Sequence, residues 1–200
     1  MTSTAETTTE APEGGLASGV RWDLSDLFAG PDDPRLDAEI ARSLEAARAF
    51  EGRYRGRVGA LGGADLARAV DELEALSEPL TRVLSYAGLL FAADTSAPRH
   101  GALLQRVQER ASEIRNTLVF FELEWVAISD EGAARVLADP ACAKRRHWLA
   151  SSRRYRPHVL SEPEERILEE TSNPGRRAFG RLFDEILGSL RFRLEHAGRS

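Results

Sequence analysis

The sequence has few residues that could form disulfides or bind a metal ion. Cys142 is the only cysteine in 200 residues, so no internal disulfide can form and a reducing cytoplasm is the expected compartment. It lies in the segment Asp-Pro-Ala-Cys-Ala without a partner typical of a catalytic nucleophile, so we interpret it as structural. The four histidines are His100, His147, His158 and His196. None stands in an H-E-x-x-H pattern, in which two imidazoles one helical turn apart bind one ion.

A metal site near His147 and His158 is an alternative that the residues leave open, because Glu164 and Glu165 follow closely. The two histidines lack the spacing of a ligand pair, and we favour a hydrogen-bonded, structural His158. The sequence also has no phosphate-binding loop, since its Gly-Gly pair lacks the lysine and hydroxyl residue of a P-loop. From the residues alone we predict no catalytic, cofactor-binding or metal-binding residue in this chain.

Long apolar runs, a signal peptide and an excess of positive charge are also absent. No apolar run has transmembrane length. Residues 1–19 are rich in Thr, Glu, Ala and Gly without the basic and apolar regions of a signal peptide, and we expect a disordered tail. The formal charge of −5 disfavours a nucleic-acid binder. With 30% charged and 42% apolar residues, residues 20–200 are expected to form one soluble domain with no membrane or nucleic-acid partner.

Basic residues are nevertheless concentrated in one stretch, and acidic residues follow them. The basic ones are Lys144, Arg145, Arg146, Arg153, Arg154 and Arg156. The acidic ones are Glu162, Glu164, Glu165, Glu169 and Glu170. We interpret the stretch as a solvated face with charges suited to helix ends. Nucleic-acid binding would need aromatic side chains on that face, and Trp148 and Tyr155 are at least as well explained as core residues.

What the sequence does contain is a long helical pattern from Pro98 to Ile128. Its apolar positions recur at alternating steps of three and four residues, which places them on one side of a helix. These positions are Leu104, Val107, Ala111, Ile114, Leu118, Phe121, Trp125 and Ile128. Charged residues between them, including Arg115, are predicted to form a solvated face. At ~1.5 Å per residue the helix would be roughly 45 Å long and would span a whole domain.

The segment from Asp65 to Ala93 has the same spacing. Its apolar positions are Leu66, Ala69, Leu73, Leu76, Leu80, Val83, Ala87 and Leu90. Two matched helices joined by a short polar turn predict an antiparallel hairpin, in which Pro79 either kinks the first arm or restarts it. Bulky residues at the edge of the two seams, such as Phe120, favour a multi-helix domain over a free-standing coiled coil.

Shorter helices are predicted on either side of the hairpin. Asp33 and Pro34 are predicted to start a helix that runs to about Gly59. A capping box at Ser161-Glu-Pro-Glu164 predicts another, to about Thr171. Further predicted segments are helices over 133–137, 143–155 and from 176 onward, and an extended link over 157–160.

Near the end of the chain the spacing of apolar residues changes from a helical period to every second residue. Leu190, Phe192 and Leu194 alternate with charged residues, which predicts a strand. A single strand needs a returning partner, so we expect the start of a β-hairpin at the C-terminus. The predicted fold class is therefore all-α, an elongated multi-helix domain around a long antiparallel helical hairpin, with the start of that β-hairpin at its end.

Three stretches of the chain share an order and spacing with a known family. The first is Trp22-Asp-Leu-Ser-Asp-Leu-Phe28, with Asp32-Asp-Pro34 behind it. The second is Ser85-Tyr-Ala87 running into Ala93-Asp-Thr95. The third is Tyr155-Arg-Pro-His-Val-Leu-Ser-Glu-Pro-Glu-Glu165, continuing through Ile167 and Leu168. From about Val20 onward the chain resembles the amino-terminal half of oligoendopeptidase F, in the thimet-oligopeptidase-like family of zinc peptidases.

The resemblance implies an almost wholly helical, elongated fold divided by a deep channel. In that family the zinc lies on the carboxyl-terminal side, held by the two histidines of H-E-x-x-H and a later glutamate, and the glutamate of the motif activates water. The amino-terminal part forms the opposite wall, and the narrow channel limits substrates to short peptides. None of these catalytic positions exists in the 200 residues, so we expect this chain to bind no zinc and to be inactive alone.

The resemblance also implies that residues 20–200 are a helical amino-terminal domain, truncated before the catalytic domain. Copies could then associate through the open C-terminal edge. A stand-alone helical interaction module is the alternative, because it needs no catalytic residue. A well-folded monomer or a defined dimer in light scattering would favour the module, whereas aggregation through the open edge would favour the oligopeptidase domain.

Overall fold

The computed structural model describes residues 23–191, and every regular element in this range is helical. The α-helices are α1 (Pro34–Tyr54), α2 (Gly63–Ala93), α3 (Pro98–Ala127), α4 (Asp130–Leu137), α5 (Arg146–Ser152), α6 (Glu162–Ser172) and α7 (Ala178–Ser189). Between them lie 3-10 segments at Val58–Ala60, Pro140–Cys142 and Arg153–His158, and a π-helical turn at Asn173–Arg177. The predicted all-α class is confirmed for this range, in which no helix is long and apolar enough to cross a membrane.

The predicted hairpin is formed by α2 and α3, and each ends within two residues of its predicted limits. Five of the eight predicted seam positions of α3 are buried, and the other three are half-buried. The buried ones are Val107, Ala111, Ile114, Phe121 and Trp125. Pro79 does not end α2, which continues across it. Proline has no amide hydrogen to donate within the helix. Just before it, the Ser77 hydroxyl donates to the Leu73 carbonyl (2.7 Å), so a side-chain hydrogen bond is present next to the position where a backbone hydrogen bond is missing.

The third long helix, α1, packs against both arms of the hairpin. It starts as predicted, because Asp33 Oδ1 accepts from the Arg35 amide (2.9 Å) and Pro34 takes the first helical position. The prediction that it runs to about Gly59 is wrong, since it ends at Tyr54. Gly56 has a φ of 74°, and the Glu124 carboxylate accepts from its amide (2.7 Å) and from that of Val58 (3.1 Å). A distant carboxylate therefore stabilises a turn where the apolar pattern continues.

The core is divided along the length of the bundle. One end is aromatic, with Phe50 and Tyr54 of α1 packed on Phe121 of α3 at ring-centroid separations of 5.3 and 6.5 Å. At the other end Phe28 packs edge-on against Tyr86 at 5.1 Å, and this contact anchors the segment before α1.

One arginine closes the C-terminal end of α3. Arg153 Nη1 donates to the Trp125 carbonyl (2.9 Å), and Nη2 donates to the Ile128 carbonyl and the Asp130 carboxylate (both 2.7 Å). Its side chain is only 10% exposed. The last carbonyls of a helix lack partners within the helix, so a buried cation here satisfies them and complements the helix dipole. Trp125 Nε1 in turn donates to the Leu149 carbonyl (2.9 Å), which ties α5 to α3.

The C-terminal third confirms some local predictions and corrects others. The capping box is present, since Glu164 Oε2 accepts from the Ser161 amide (2.9 Å), and α6 ends one residue after the predicted Thr171. The helix predicted over 143–155 is shorter, because its last residues belong to the 3-10 segment Arg153–His158. His158 is consequently in that segment and not in an extended link. Leu190 begins the predicted strand but has no strand partner within residues 23–191, and Phe192 and Leu194 lie outside the described range.

The burial of the α2 seam gives a matched test of the core. Leu66 is 1% exposed and Leu89, on the same helix, is 43% exposed. Leu66→Ala is expected to lower the free energy of unfolding by ~2–5 kcal/mol, because it leaves a cavity in a packed core. Leu89→Ala should change it by less than about 0.5 kcal/mol. Urea titrations followed by circular dichroism measure both, and equal shifts of the two midpoints would contradict the observed orientation of α2.

Candidate functional site

The histidines considered for a metal site are not brought together. His100 Nδ1 lies 3.2 Å from the Asp94 carbonyl, and His147 Nε2 lies 3.5 Å from the Ser151 hydroxyl. The hydrogen-bonded role predicted for His158 is not found within residues 23–191, where its side chain is exposed. In this range no group of three or more His, Cys, Asp or Glu side chains could hold a metal ion. The described residues therefore do not fit a zinc site, and His196 lies outside them.

Cys142 has the environment of a structural residue. It is buried, and its thiol donates to the Gly63 carbonyl at a sulfur–oxygen distance of 3.2 Å. Burial raises the pKa of the thiol, and the charge of Asp139 raises it further. Because the thiolate is the nucleophilic form, both effects oppose reactivity. The structure supports the structural interpretation.

Much of the basic stretch is used within the domain. Arg145 pairs with Asp71 (2.7 Å) and also with Glu74. Arg153 closes α3, and Arg156 contacts the Asp130 carboxylate at 3.2 Å. These guanidinium groups are held by carboxylates of the same domain. The stretch is therefore better described as part of the packing of α4 and α5 than as a free basic surface.

Within residues 23–191, half of the twelve exposed large apolar side chains lie on or directly after α7. These six residues recur at helical spacing and are 43–71% exposed, and we call them the α7 face. They are Phe179, Leu182, Phe183, Ile186, Leu187 and Leu190. The opposite side of α7 approaches α3, where Arg181 Nη2 lies 3.5 Å from Gln105 Oε1. The helix thus turns its polar side to the domain and its apolar side to solvent, an arrangement that marks an interaction surface.

A cluster of charged groups, here called the latch, holds α6 and the turn before α7 on α3. Glu169 accepts from the Ser112 hydroxyl (2.8 Å), from Arg115 Nη1 (3.1 Å) and through both oxygens from Arg177 (2.9 and 3.0 Å). Asn173 Nδ2 also donates to the Ser112 hydroxyl (3.0 Å). Arg115, predicted on a solvated face, is exposed but belongs to this cluster. Burial raises the pKa of Glu169, but the hydrogen bonds from Ser112, Arg177 and Arg115 outweigh it and hold the pKa below its usual value.

A groove of about 520 Å³ runs between α3 and α6, with α2 and α5 beside it. Its apolar lining comes from Leu118, Val119, Phe121, Trp148 and Leu168. Three carboxylates, Glu122, Glu165 and Glu169, also line it. Burial raises the pKa of Glu122, and the nearby charge of Glu165 raises it further. Periodicity could not have located this groove, because it depends on how α6 folds back along α3.

Comparisons with known proteins identify relatives of the chain. A family model described as Oligopeptidase F matches residues 124–192. The group B oligopeptidase PepB of Streptococcus agalactiae serotype III (strain NEM316) is 24% identical over 155 residues, which cover 76% of this chain and 25% of that protein. The chain thus spans about a quarter of the length of the curated relative it matches. No solved structure matches the chain.

The resemblance to the amino-terminal part of oligoendopeptidase F is confirmed by these two matches. The family model covers the last residues of α3 and all of α4 to α7, which includes the third sequence stretch used for the resemblance. The α7 face lies within this matched range, whereas the hairpin lies mostly before it.

The latch predicts that the attachment of α6 and α7 to α3 depends on pH. Because the folded-state pKa of Glu169 is lowered from 4.5, its stabilising contribution is present above pH 4.5 and is lost as the pH falls through the folded-state value. Protection against hydrogen exchange in α6 and α7, measured relative to the intrinsic exchange rate at each pH, is expected to fall in this window, below pH 4.5, before protection in α1 to α3 does. At neutral pH, Glu169→Gln should cause the same selective loss of protection.

Glu78→Gln is the matched control, because Glu78 is exposed on α2 and makes no ion pair with residues 23–191. It should leave the exchange of α6 and α7 unchanged. Uniform acceleration over all helices in Glu169→Gln would show that the latch stabilises the whole domain, and the assignment of a local role would then be wrong.

Proposed function

We propose that residues 20–200 are the helical amino-terminal domain of a zinc oligoendopeptidase and form one wall of the channel that admits its short peptide substrates. The match to the family model and the similarity to an oligopeptidase support the family part of this proposal. The extended hairpin of α2 and α3 supplies a long, rigid surface of the kind that a channel wall needs. A cytoplasmic location agrees with the single cysteine.

The zinc and its ligands belong, in this proposal, to polypeptide outside these 200 residues. A catalytic zinc site needs three protein ligands and an open position for water. The described histidines are dispersed, and Cys142 is buried in a contact with a backbone carbonyl. We therefore expect residues 1–200 to hydrolyse no peptide by themselves.

The α7 face carries the proposal, because it is the surface through which the domain would join the catalytic part. About three quarters of the related oligopeptidase lies outside the aligned region, so such a protein has ample further chain to cover it. Burying a large apolar side chain contributes about 1.5–3 kcal/mol, and the face offers six. The latch fixes the start of α7, so this surface is held in place before docking.

Isolation of the native protein tests the proposal. An antibody against the α2–α3 hairpin should precipitate, from the source cells, a peptidase activity that cleaves a short quenched-fluorescent peptide. A chelator should abolish this activity, and added zinc should restore it. The recombinant 200-residue chain, assayed in the same way, should be inactive.

Two results of this experiment would contradict the proposed function. If the precipitate contains this chain without any chelator-sensitive peptidase, the domain has no catalytic partner and the proposed function is wrong. Activity of the recombinant chain alone would also contradict it, because the zinc ligands would then have to lie among these residues.

The exposed α7 face predicts self-association of the isolated chain. Without a covering partner, copies should aggregate through it and raise the mass measured by light scattering beyond that of a defined dimer. The double variant Leu182→Glu with Ile186→Glu is expected to remove this association and leave the circular dichroism spectrum unchanged. Leu89→Glu is the matched control, because Leu89 is 43% exposed but lies on α2, away from the face. A wild-type chain that stays monomeric would instead favour the stand-alone module.

A further inference from the structure

The groove between α3 and α6 has a defined direction. Ser112 and Arg115 of α3 contact Glu169, whereas Glu122, two turns further along α3, faces Glu165 of α6. The two helices therefore run antiparallel beneath the groove. Arg176 also lines the groove, and it lies in the same π-helical turn as Asn173, which donates to Ser112. One end of the groove thus carries Glu122 and Glu165, and the other carries Arg176.

The charges at the two ends have no opposite partner within residues 23–191. Glu122 and Glu165 make no ion pair with the arginines of this range, and Arg176 makes none with its carboxylates. Arg115 and Arg177, which also line the groove, share the single carboxylate of Glu169, so these three groups carry a net charge of +1. With Arg176, the lining therefore leaves two negative charges at one end and a net charge of +2 at the other. Such a pair of ends fits a ligand that is itself a zwitterion.

The middle of the groove is apolar. Leu118 and Val119 line it from α3, and Leu168 lines it from α6. Trp148 borders it and is 42% exposed, so one part of the indole remains available for contact. None of the six residues of the α7 face lines this groove, so a partner on that face leaves its lining residues free.

The length of the groove matches a very short peptide. Arg115 shares Glu169 with Arg177, the neighbour of Arg176, and so marks the basic end of the groove on α3. It lies seven residues from Glu122 on this helix, which corresponds to roughly 10 Å. Three residues of extended chain span about 10 Å as well. A tripeptide with free ends would therefore place its α-ammonium and its α-carboxylate at the two ends of the groove.

We propose that this groove binds short peptides by both termini, with the α-ammonium between Glu122 and Glu165, the α-carboxylate on Arg176, and apolar side chains against Leu118 and Trp148. Only the choice of a peptide as the zwitterion rests on the proposed function. The raised pKa of Glu122 agrees with it, because a cation placed between the two carboxylates would relieve their repulsion and desolvation. The site selects peptides by length and by free termini, a task separate from bond cleavage.

Calorimetric titration of the full 200-residue chain with the tripeptide Leu-Leu-Leu tests this site. Saturable binding to one site per chain is expected. Acetylation of the peptide's amino terminus should weaken binding about tenfold or more, as loss of a charge-assisted hydrogen bond does, and amidation of its carboxyl terminus should do likewise. Because these changes are made in the ligand, they do not depend on the folding of any variant.

Variants of the chain assign each end of the groove. Glu122→Gln should weaken binding of the free tripeptide about tenfold and should remove most of the difference between free and acetylated peptide. Arg176→Gln should do the same for the amidated form. Glu45→Gln is the matched control, since Glu45 is exposed on α1 and makes no ion pair with residues 23–191, and it should bind as the wild type does.

Two results would overturn the inference. One is the absence of saturable binding of Leu-Leu-Leu, and the other is equal affinity for the free, acetylated and amidated peptides. Neither result depends on a peptidase, so failure of the groove proposal can be distinguished from failure of the proposed function. Tripeptide binding by a chain that precipitates no peptidase refutes the proposed function alone. A chelator-sensitive peptidase whose helical domain ignores the tripeptide refutes the groove alone.

Discussion

Close packing of three long helices is the constraint on which the rest of the structure depends. Where α1, α2 and α3 meet, small side chains are fully buried, with Ala47, Ala87 and Ala111 each contributed by a different helix. Small residues at such positions let helix axes approach to the short end of the usual 8–10 Å range. The large residues Trp125 and Tyr86 fill the space towards the two ends. The three packed helices form the core against which α4 to α7 pack.

The helices that follow α3 are attached to it by polar contacts at three positions along its length. Arg153 satisfies its C-terminal carbonyls, Trp125 donates to α5, and Ser112 anchors the latch nearer its middle. Each contact joins residues far apart in sequence and uses a charged or buried polar group whose loss would leave an unsatisfied partner. The positions of α6 and α7, and so of the groove and the α7 face, follow from polar contacts and not from apolar packing alone.

The long helices could be predicted because their signal is local. A seam such as Val107, Ala111 and Ile114 repeats within each turn, and caps such as Asp33 act over two or three residues. The end of α1 could not be predicted from the sequence, because it depends on Glu124, which accepts hydrogen bonds from the turn after Tyr54 and lies more than sixty residues away in the chain. The latch and the groove were missed for the same reason. Their charges resembled ordinary solvated positions until α6 folded back along α3.

The apolar pattern of α7 is local and strong, yet the structure places it facing solvent. Helices in a domain core orient their apolar side inwards because burial is the dominant favourable term. Here the polar side of α7, with Arg181 near Gln105, takes the inward position, and the latch just before it fixes that orientation. A large exposed apolar surface of this kind is typical of interaction sites. The groove beside it has the opposite character, since charged ends and limited length suit a small solute. On the proposals made for them, the α7 face would take a large partner and the groove a small ligand.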